Sequence, residues 1–159
     1  MSWYVIKNQG DAASLMTLLG GFHDGCLREA HLWTGHWVPK DLSMTCSDSL
    51  DNCIRILVQR QFKDPSAIEL LFEEVTRFNL VPSPENYESI IFEDILLVQD
   101  GTIYYPPNVG WWPESPSRDE VTWVSAKRLR WRRVEWLSEE LHYGRKPVQI
   151  TNRCRQNQM

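Results

Sequence analysis

The densest group of side chains able to bind a metal or exchange protons lies in residues 22–31. It contains His23, Asp24, Glu29 and His31. Imidazole and carboxylate groups ligate divalent metals and transfer protons near neutral pH, so a metal-dependent enzyme is one hypothesis. The spacing matches no H-E-x-x-H or paired-ligand motif. The alternative is that Asp24 accepts backbone hydrogen bonds in a turn that His23 fixes onto a sheet. We favour this alternative and predict no metal and no cofactor.

The four cysteines form no recognisable redox, metal or disulfide pattern. They lie at positions 26, 46, 53 and 154, and no two are spaced as C-x-x-C. Cys26 follows His23 by three residues, but nothing in the sequence supplies the positive environment that activates a thiol. The chain has no G-x-S-x-G elbow and no phosphate-binding loop. We therefore predict reduced thiols and favour neither cysteine nor serine nucleophiles.

A basic segment, K-R-L-R-W-R-R, occupies residues 127–133. If this segment is extended, Arg128, Arg130 and Arg132 project from one face. A row of guanidinium groups is suited to the phosphates of a nucleic acid or to acidic groups of a protein. The alternative is that the row pairs with carboxylates on neighbouring strands, for which the candidates are Glu69, Glu73 and Glu93.

Charge is unevenly distributed along the chain. Residues 1–120 carry 8 basic and 18 acidic side chains, a balance of −10, whereas residues 121–159 carry 9 and 3, a balance of +6. The net charge is −4, and no aromatic side chains interleave on the arginine face. Both observations disfavour nucleic acid as the partner, because its binding depends on basic and stacking surfaces. We keep nucleic-acid binding as an alternative.

Trp111 and Trp112 stand in a proline-rich segment, residues 106–119, that predicts a long irregular loop. Two adjacent residues of an extended chain point in opposite directions, so at least one indole is a candidate for an exposed anchor on a protein partner. The alternative is that the loop folds back and caps the sheet. We assign partner binding to both tryptophans and to the arginine row.

Length and composition indicate one globular domain. The chain has 159 residues, of which 42% are hydrophobic and 24% charged. This size matches a single hydrophobic core, and no apolar run reaches the roughly 18 residues that span a bilayer. The first residues lack the pattern of a signal peptide, so we expect a cytoplasmic protein. We predict one domain over residues 1–145 and a frayed tail over residues 146–159.

Local patterns predict an α+β domain with a mostly antiparallel sheet. Asp11, as an N-cap, and the pair Gly20-Gly21 bound a short helix. Residues 26–38 predict a strand that carries Glu29, His31 and Trp33 on one side. Alternation over residues 53–62 predicts a second strand whose inward residues are Ile54, Ile56, Val58 and Phe62.

The C-terminal half contains the clearest turn signal. Asp100-Gly101 separates two β-prone runs and predicts a type I′ hairpin, and we expect its first strand to extend back to Ser89. Residues 121–132 alternate like a strand with Trp123 and Trp131 inward. Apolar residues at 134, 137 and 141 then follow helical spacing and predict a short C-terminal helix.

Residues 66–80 fit two interpretations. Ile68, Leu71, Phe72 and Val75 follow helical spacing, and helix propensity is favourable, but alternate residues also form an apolar face at period two. We predict a strand with an irregularity near Glu74.

The stretch F-H-D-G-C-L-R-E at residues 22–29 resembles a motif of small bacterial proteins that open with a helix and are similar to the immunity proteins of polymorphic toxin systems. Phe78-Asn79-Leu80, Asp100-Gly101 and Thr122-Trp123 also follow the order seen in that group, so the resemblance spans about residues 3–133. It implies a strand over residues 67–80 and no established catalytic residues. It also implies a non-enzymatic protein that binds another protein, such as a toxin.

Overall fold

The computed structural model describes residues 2–86, 90–105 and 110–144. Within these residues, seven strands form one antiparallel sheet: β1 Tyr4–Ile6, β2 Gly25–Trp33, β3 Cys53–Arg60, β4 Ala67–Asn79, β5 Leu97–Gln99, β6 Thr102–Tyr105 and β7 Trp123–Val134. The strand order is β2-β3-β4-β7-β6-β5, and β1 pairs with β7 beyond the end of β6. The predicted mostly antiparallel α+β domain is therefore observed, apart from the C-terminal helix.

Helix α1, Gln9–Leu19, begins earlier than predicted. Its N-cap is Asn8, whose side chain accepts a hydrogen bond from the Asp11 amide at 3.0 Å, so Asp11 lies in the first turn rather than at the cap. The Asp11 carboxylate in turn accepts from the Lys7 amide at 2.8 Å. These two bonds satisfy amides that a helix start leaves unpaired. The helix ends as predicted at Gly20, which adopts φ 57°.

One face of the sheet and the helix enclose the hydrophobic core. Alternate residues of β3, β4 and β7 point to this face, and α1 covers it with Ala12, Leu15 and Leu19. The largest strand contributions to the core come from Ile54, Ile56, Ile68, Leu70, Phe72, Leu129 and Trp131. Residues between them in the sequence therefore point to the opposite face, which we call the outer face.

Strand β4 confirms the prediction for residues 66–80. Residues 67–72 are buried on both faces of the sheet, because α1 packs on the core face and residues 135–144 cross the outer face. This burial outweighs the helical propensity of the segment, since tertiary contacts exceed the small differences in intrinsic preference. Glu74 has φ 55°, and the pairing register with β7 shifts between Val75 and Arg77. The predicted irregularity is a β-bulge.

The hairpin between β5 and β6 also has the predicted form. Asp100 and Gly101 have φ values of 50° and 69°, and Gln99 pairs with Thr102 across the turn. Positive φ at both central positions defines the type I′ turn. The first strand starts at Leu97, so it does not extend back toward Ser89, which itself lies outside the described residues.

Three further sequence-based predictions are wrong. The first strand ends at Trp33 and the second at Arg60, which leaves Phe62 49% exposed instead of inward. Residues 135–144 contain no helix. Their backbone is held in irregular form across the outer face, where Glu29 accepts hydrogen bonds from the amides of His142 and Tyr143. These bonds compete with the local bonding that a helix needs. The predicted tail at residues 146–159 lies outside the described residues.

No helix in the described parts of the chain is long and apolar enough to cross a membrane.

Candidate functional site

The histidine and carboxylate residues of the N-terminal cluster separate into two places. His23 and Asp24 lie in the turn before β2, where His23 Nδ1 is 3.1 Å from Asp24 Oδ2 and both side chains are about half exposed or more. The backbone of Asp24 donates to Ile91 and accepts from Gln61. The turn is thus fixed to its neighbours mainly by backbone hydrogen bonds.

Glu29 and His31 lie further along β2 on the outer face. Both Glu29 oxygens are occupied, at 2.5 Å by the His142 amide and at 3.0 Å by the Tyr143 amide. The His31 ring contacts Trp33, with ring centroids 5.2 Å apart. Among the described residues, no group of three or more His, Cys, Asp and Glu side chains is arranged to hold a metal ion. The geometry thus gives the metal-dependent hypothesis no assembled site.

The arginine row lies on the outer face, and each member has a carboxylate partner. Arg128 Nη2 is 2.8 Å from Glu74 Oε1, and Arg130 makes two hydrogen bonds to Glu73, at 2.8 and 2.9 Å. Arg132 donates to Glu69. The arginine side chains are 63%, 36% and 29% exposed in that order. The row is therefore a cross-strand ion-pair ladder, and Arg128 is its most exposed arginine.

Glu69 lies at one end of this ladder and has no exposed surface. Besides Arg132, its carboxylate faces Arg55 Nη1 at 3.9 Å and His142 Nε2 at 3.5 Å. Burial, and next the negative charge of Glu69, raise the pKa of the Tyr143 hydroxyl well above its ordinary value. The sequence predicted Glu69 as a partner of the row. It did not predict that Arg55 faces the same carboxylate or that residues 135–144 cover it.

The two adjacent tryptophans have different environments. Trp111 is 5% exposed and packs against Trp123 and Tyr104, with ring centroids 5.1 and 6.0 Å away. Trp112 is 50% exposed. The described part of the proline-rich loop is therefore anchored to the sheet by Trp111, while Trp112 remains accessible.

A further apolar surface lies in the β2–β3 loop, residues 34–52, which sequence reasoning did not single out. Trp37 and Thr45 exchange two backbone hydrogen bonds, at 3.1 and 2.9 Å, and close the loop into a small hairpin. Its end exposes four apolar side chains, which we call the apolar tip: Trp37, 59% exposed, Val38, 54%, Leu42, 84%, and Met44, 64%. The available sequence signal was the pair Trp37-Val38 before Pro39, with Leu42 and Met44 following after Lys40 and Asp41.

An acidic groove adjoins the end of this loop that leads into β3. The groove has a volume of about 500 Å³ and is lined by loop residue Asp51 and by Glu73, Glu74 and Arg128 of the sheet. Cys53 also lines it, and burial, followed by the charges of Glu73 and Asp51, raises the pKa of its thiol. A raised pKa disfavours the thiolate and therefore disfavours nucleophilic attack by this cysteine.

Comparisons of the chain with protein-family models, with curated proteins and with solved structures give no significant match. The surfaces described above therefore carry the functional interpretation.

Proposed function

We propose that this chain is a cytosolic, non-enzymatic protein-binding module whose partner is a basic protein. The observation that supports this function best is the apolar tip, in which Trp37, Val38, Leu42 and Met44 are all more than half exposed. Clustered exposed apolar residues on a soluble domain are typical of protein interaction sites.

The loop is suited to act as a preformed anchor. The two backbone hydrogen bonds between Trp37 and Thr45 hold the tip, and the Leu42 amide donates to the Pro39 carbonyl at 3.0 Å within it. A loop that is ordered before binding loses less conformational entropy when the complex forms. Tryptophan supplies a large contact area with few rotatable bonds, and such residues dominate the binding energy of many interfaces.

Charge specifies the kind of partner. The loop carries Asp41, Asp48 and Asp51 against a single lysine, Lys40, whereas Glu73 and Glu74 of the adjoining groove are already paired with Arg130 and Arg128. Complementary potentials accelerate encounter and exclude wrong partners, so this surface favours a partner with lysine or arginine side chains around an apolar pocket. Arg128, an exposed member of the residue set assigned from sequence, lines the acidic groove and would lie at the border of this interface.

An immunity-type role is the specific form of the proposal. In this role the chain neutralises a toxin by covering its active site. Enzymes that act on nucleic acids present positive surfaces to their substrates, so such a toxin has the charge that this surface requires.

Site-specific photo-crosslinking in cells tests the proposal. A photoreactive phenylalanine analogue replaces Leu42 in the tip, and the matched control places it at Leu80, which is 64% exposed but lies outside the loop. We expect one basic protein to be crosslinked from position 42 and not from position 80. Equal crosslinking from both positions would contradict a specific role for the tip.

The partner identified by crosslinking is then purified, and its affinity for the wild-type chain and for variants is measured. Trp37→Ala should weaken binding by about 30-fold, the loss expected of an interface anchor. Leu80→Ala should leave affinity unchanged. Affinity should also fall as salt concentration rises, because screening weakens complementary charges. Retention of full affinity in Trp37→Ala would overturn the assignment of the interface to this loop.

A further inference from the structure

A second groove lies at the end of β3 away from the β2–β3 loop, next to the turn that carries Asp24. Its walls come from Cys26 at the start of β2, Arg60 at the end of β3, and the side chains of Ile90 and Leu137. Its volume is about 350 Å³, which falls in the range of small-molecule sites. The proposed protein interface does not include this groove.

Arg60 is the unusual feature of the groove wall. It is 7% exposed, and no aspartate or glutamate in the described residues lies within ion-pair distance of it. Its guanidinium makes one long hydrogen bond, 3.5 Å from Nη1 to the Pro65 carbonyl, and lies 4.6 Å from the centre of the Phe62 ring. Its Nε has no hydrogen-bond partner in the described structure. Burial lowers the pKa of Arg60.

Three other partly buried arginines each face a carboxylate, although the Nε of Arg55, like that of Arg60, has no hydrogen-bond partner in the described structure. Arg132 and Arg55 both face the buried carboxylate of Glu69, and Arg130 is bonded twice to Glu73. A buried guanidinium without a counterion costs free energy, because the charge has lost water and gained no partner of opposite sign. An apolar side chain at position 60 would avoid this cost. The cost is offset when a ligand supplies the missing negative charge.

We propose that this groove binds a small organic monocarboxylate through Arg60. The planar guanidinium matches the two oxygens of a carboxylate, and Ile90 and Leu137, which are 40% and 70% exposed, offer apolar surface to the rest of the ligand. Asp24 also lines the groove, and its charge repels a dianion more strongly than a monoanion. The ligand class is therefore a singly charged acid with a short aliphatic chain.

Titration of the wild-type protein with hexanoate tests the charge requirement, and amide chemical shifts provide the readout. We expect saturable shifts at Cys26, Arg60 and Leu137 with a dissociation constant of about 1 mM or tighter. Hexanamide has the same shape without the charge and should bind at least tenfold more weakly. Inorganic phosphate should cause no saturable shift at these amides. Absence of saturation by hexanoate, equal binding of hexanamide, or tighter binding of phosphate would each overturn the proposal.

Substitution of the arginine tests the same site from the protein side. Arg60→Met removes the charge and keeps the length of the side chain, so we expect hexanoate affinity to fall at least tenfold while the thermal midpoint stays the same or rises. Arg133→Met is the matched control, because Arg133 is 42% exposed and pairs with Asp64 outside the groove. This variant should bind hexanoate like the wild type.

Retained binding in Arg60→Met, or equal loss in Arg133→Met, would show that Arg60 does not hold the carboxylate. If Arg60→Met lowers the thermal midpoint by more than the control does, the residue has a structural role and the argument from an unpaired charge is wrong. In that case Arg60→Lys, which keeps the charge and loses the planar fork, should still weaken hexanoate binding. Unchanged affinity in Arg60→Lys would also reject the site.

Discussion

Arg132 donates a hydrogen bond to Glu69, and Glu69 has no contact with solvent although Arg132 keeps 29% of its side chain exposed. The two residues are directly opposed in the pairing of β4 with β7. The Trp3 ring also lies against the guanidinium of Arg132, 4.6 Å from its central carbon. The arginine row therefore contains both an exposed member, Arg128, and a member that compensates a buried charge.

Substitution should separate these two roles. Arg132→Gln leaves Glu69 with weaker charge compensation and should lower the free energy of unfolding by about 3 kcal/mol, since breaking a buried ion pair leaves a charge behind. Arg128→Gln removes an exposed pair with Glu74 and should change the free energy of unfolding by less than about 1 kcal/mol. Urea denaturation of both variants checks the difference. Equal effects would contradict the distinct roles of the two arginines.

The double variant Glu69→Gln/Arg132→Gln provides the internal control. Removal of both charges should recover part of the stability lost in Arg132→Gln, because no isolated carboxylate remains in the strand pair. A double variant that is less stable than Arg132→Gln would show that Arg55 and His142 depend on the carboxylate more than Arg132 does.

Local sequence patterns predicted most strands of this fold because alternation reports which face of a sheet is buried. The hairpin at Asp100-Gly101 could be predicted from the sequence because its turn type needs positive φ at both positions, which Asp-Gly favours. Strand β4 was ambiguous in the sequence, and its two-sided burial explains why. A strand buried on both faces loses the alternation that distinguishes it from a helix.

The environment of Glu69 and the apolar tip could not be predicted in the same way. Glu69 is buried because residues 135–144 cross the outer face, which depends on hydrogen bonds between residues more than 100 positions apart, such as Glu29 and His142. The exposure of Trp37 depends on a loop closed by two backbone bonds, whereas an aromatic residue in a sequence is more often buried. Both features arise from tertiary structure.

Glu29 should control how well residues 142 and 143 are ordered on the outer face. Because its carboxylate accepts from the amides of His142 and Tyr143, Glu29→Ala removes the partners of both groups. Hydrogen exchange at these two amides should accelerate by tenfold or more, while exchange in β4 stays unchanged. Asp48→Ala in the β2–β3 loop is a suitable control. Unchanged exchange at residues 142 and 143 would show that other contacts hold the segment.

The neighbouring tryptophans should respond differently to truncation. Trp111 is buried against Trp123 and Tyr104, so Trp111→Ala should lower the free energy of unfolding by about 3 kcal/mol or more. Trp112→Ala should change it by about 0.5 kcal/mol or less, because half of the side chain is in solvent. Thermal and urea denaturation check both values. Comparable losses would indicate that Trp112 also contributes to the core.

A buried acid makes stability depend on pH. The Tyr105 hydroxyl donates to Asp94 Oδ2 at 2.5 Å, and both residues are at most 6% exposed. Burial raises the pKa of Asp94 to about 7, although the hydrogen bond from Tyr105 opposes this effect. The folded chain thus keeps a proton that the unfolded chain releases near pH 4. The resulting stabilisation is fully present below the ordinary carboxyl pKa and is lost as the pH rises to about 7.

Asp94→Asn should remove this dependence, because an amide does not titrate and its oxygen can still accept from Tyr105. The difference in unfolding free energy between wild type and Asp94→Asn should therefore fall by at most about 1.4 kcal/mol per pH unit from pH 4 to 7 and stay constant above pH 8. Tyr105→Phe removes the hydrogen bond that lowers the Asp94 pKa, so the decline should extend to higher pH. Urea denaturation at a series of pH values measures all three proteins. Parallel curves for wild type and Asp94→Asn would show that the pKa of Asp94 is the same in the folded and the unfolded chain.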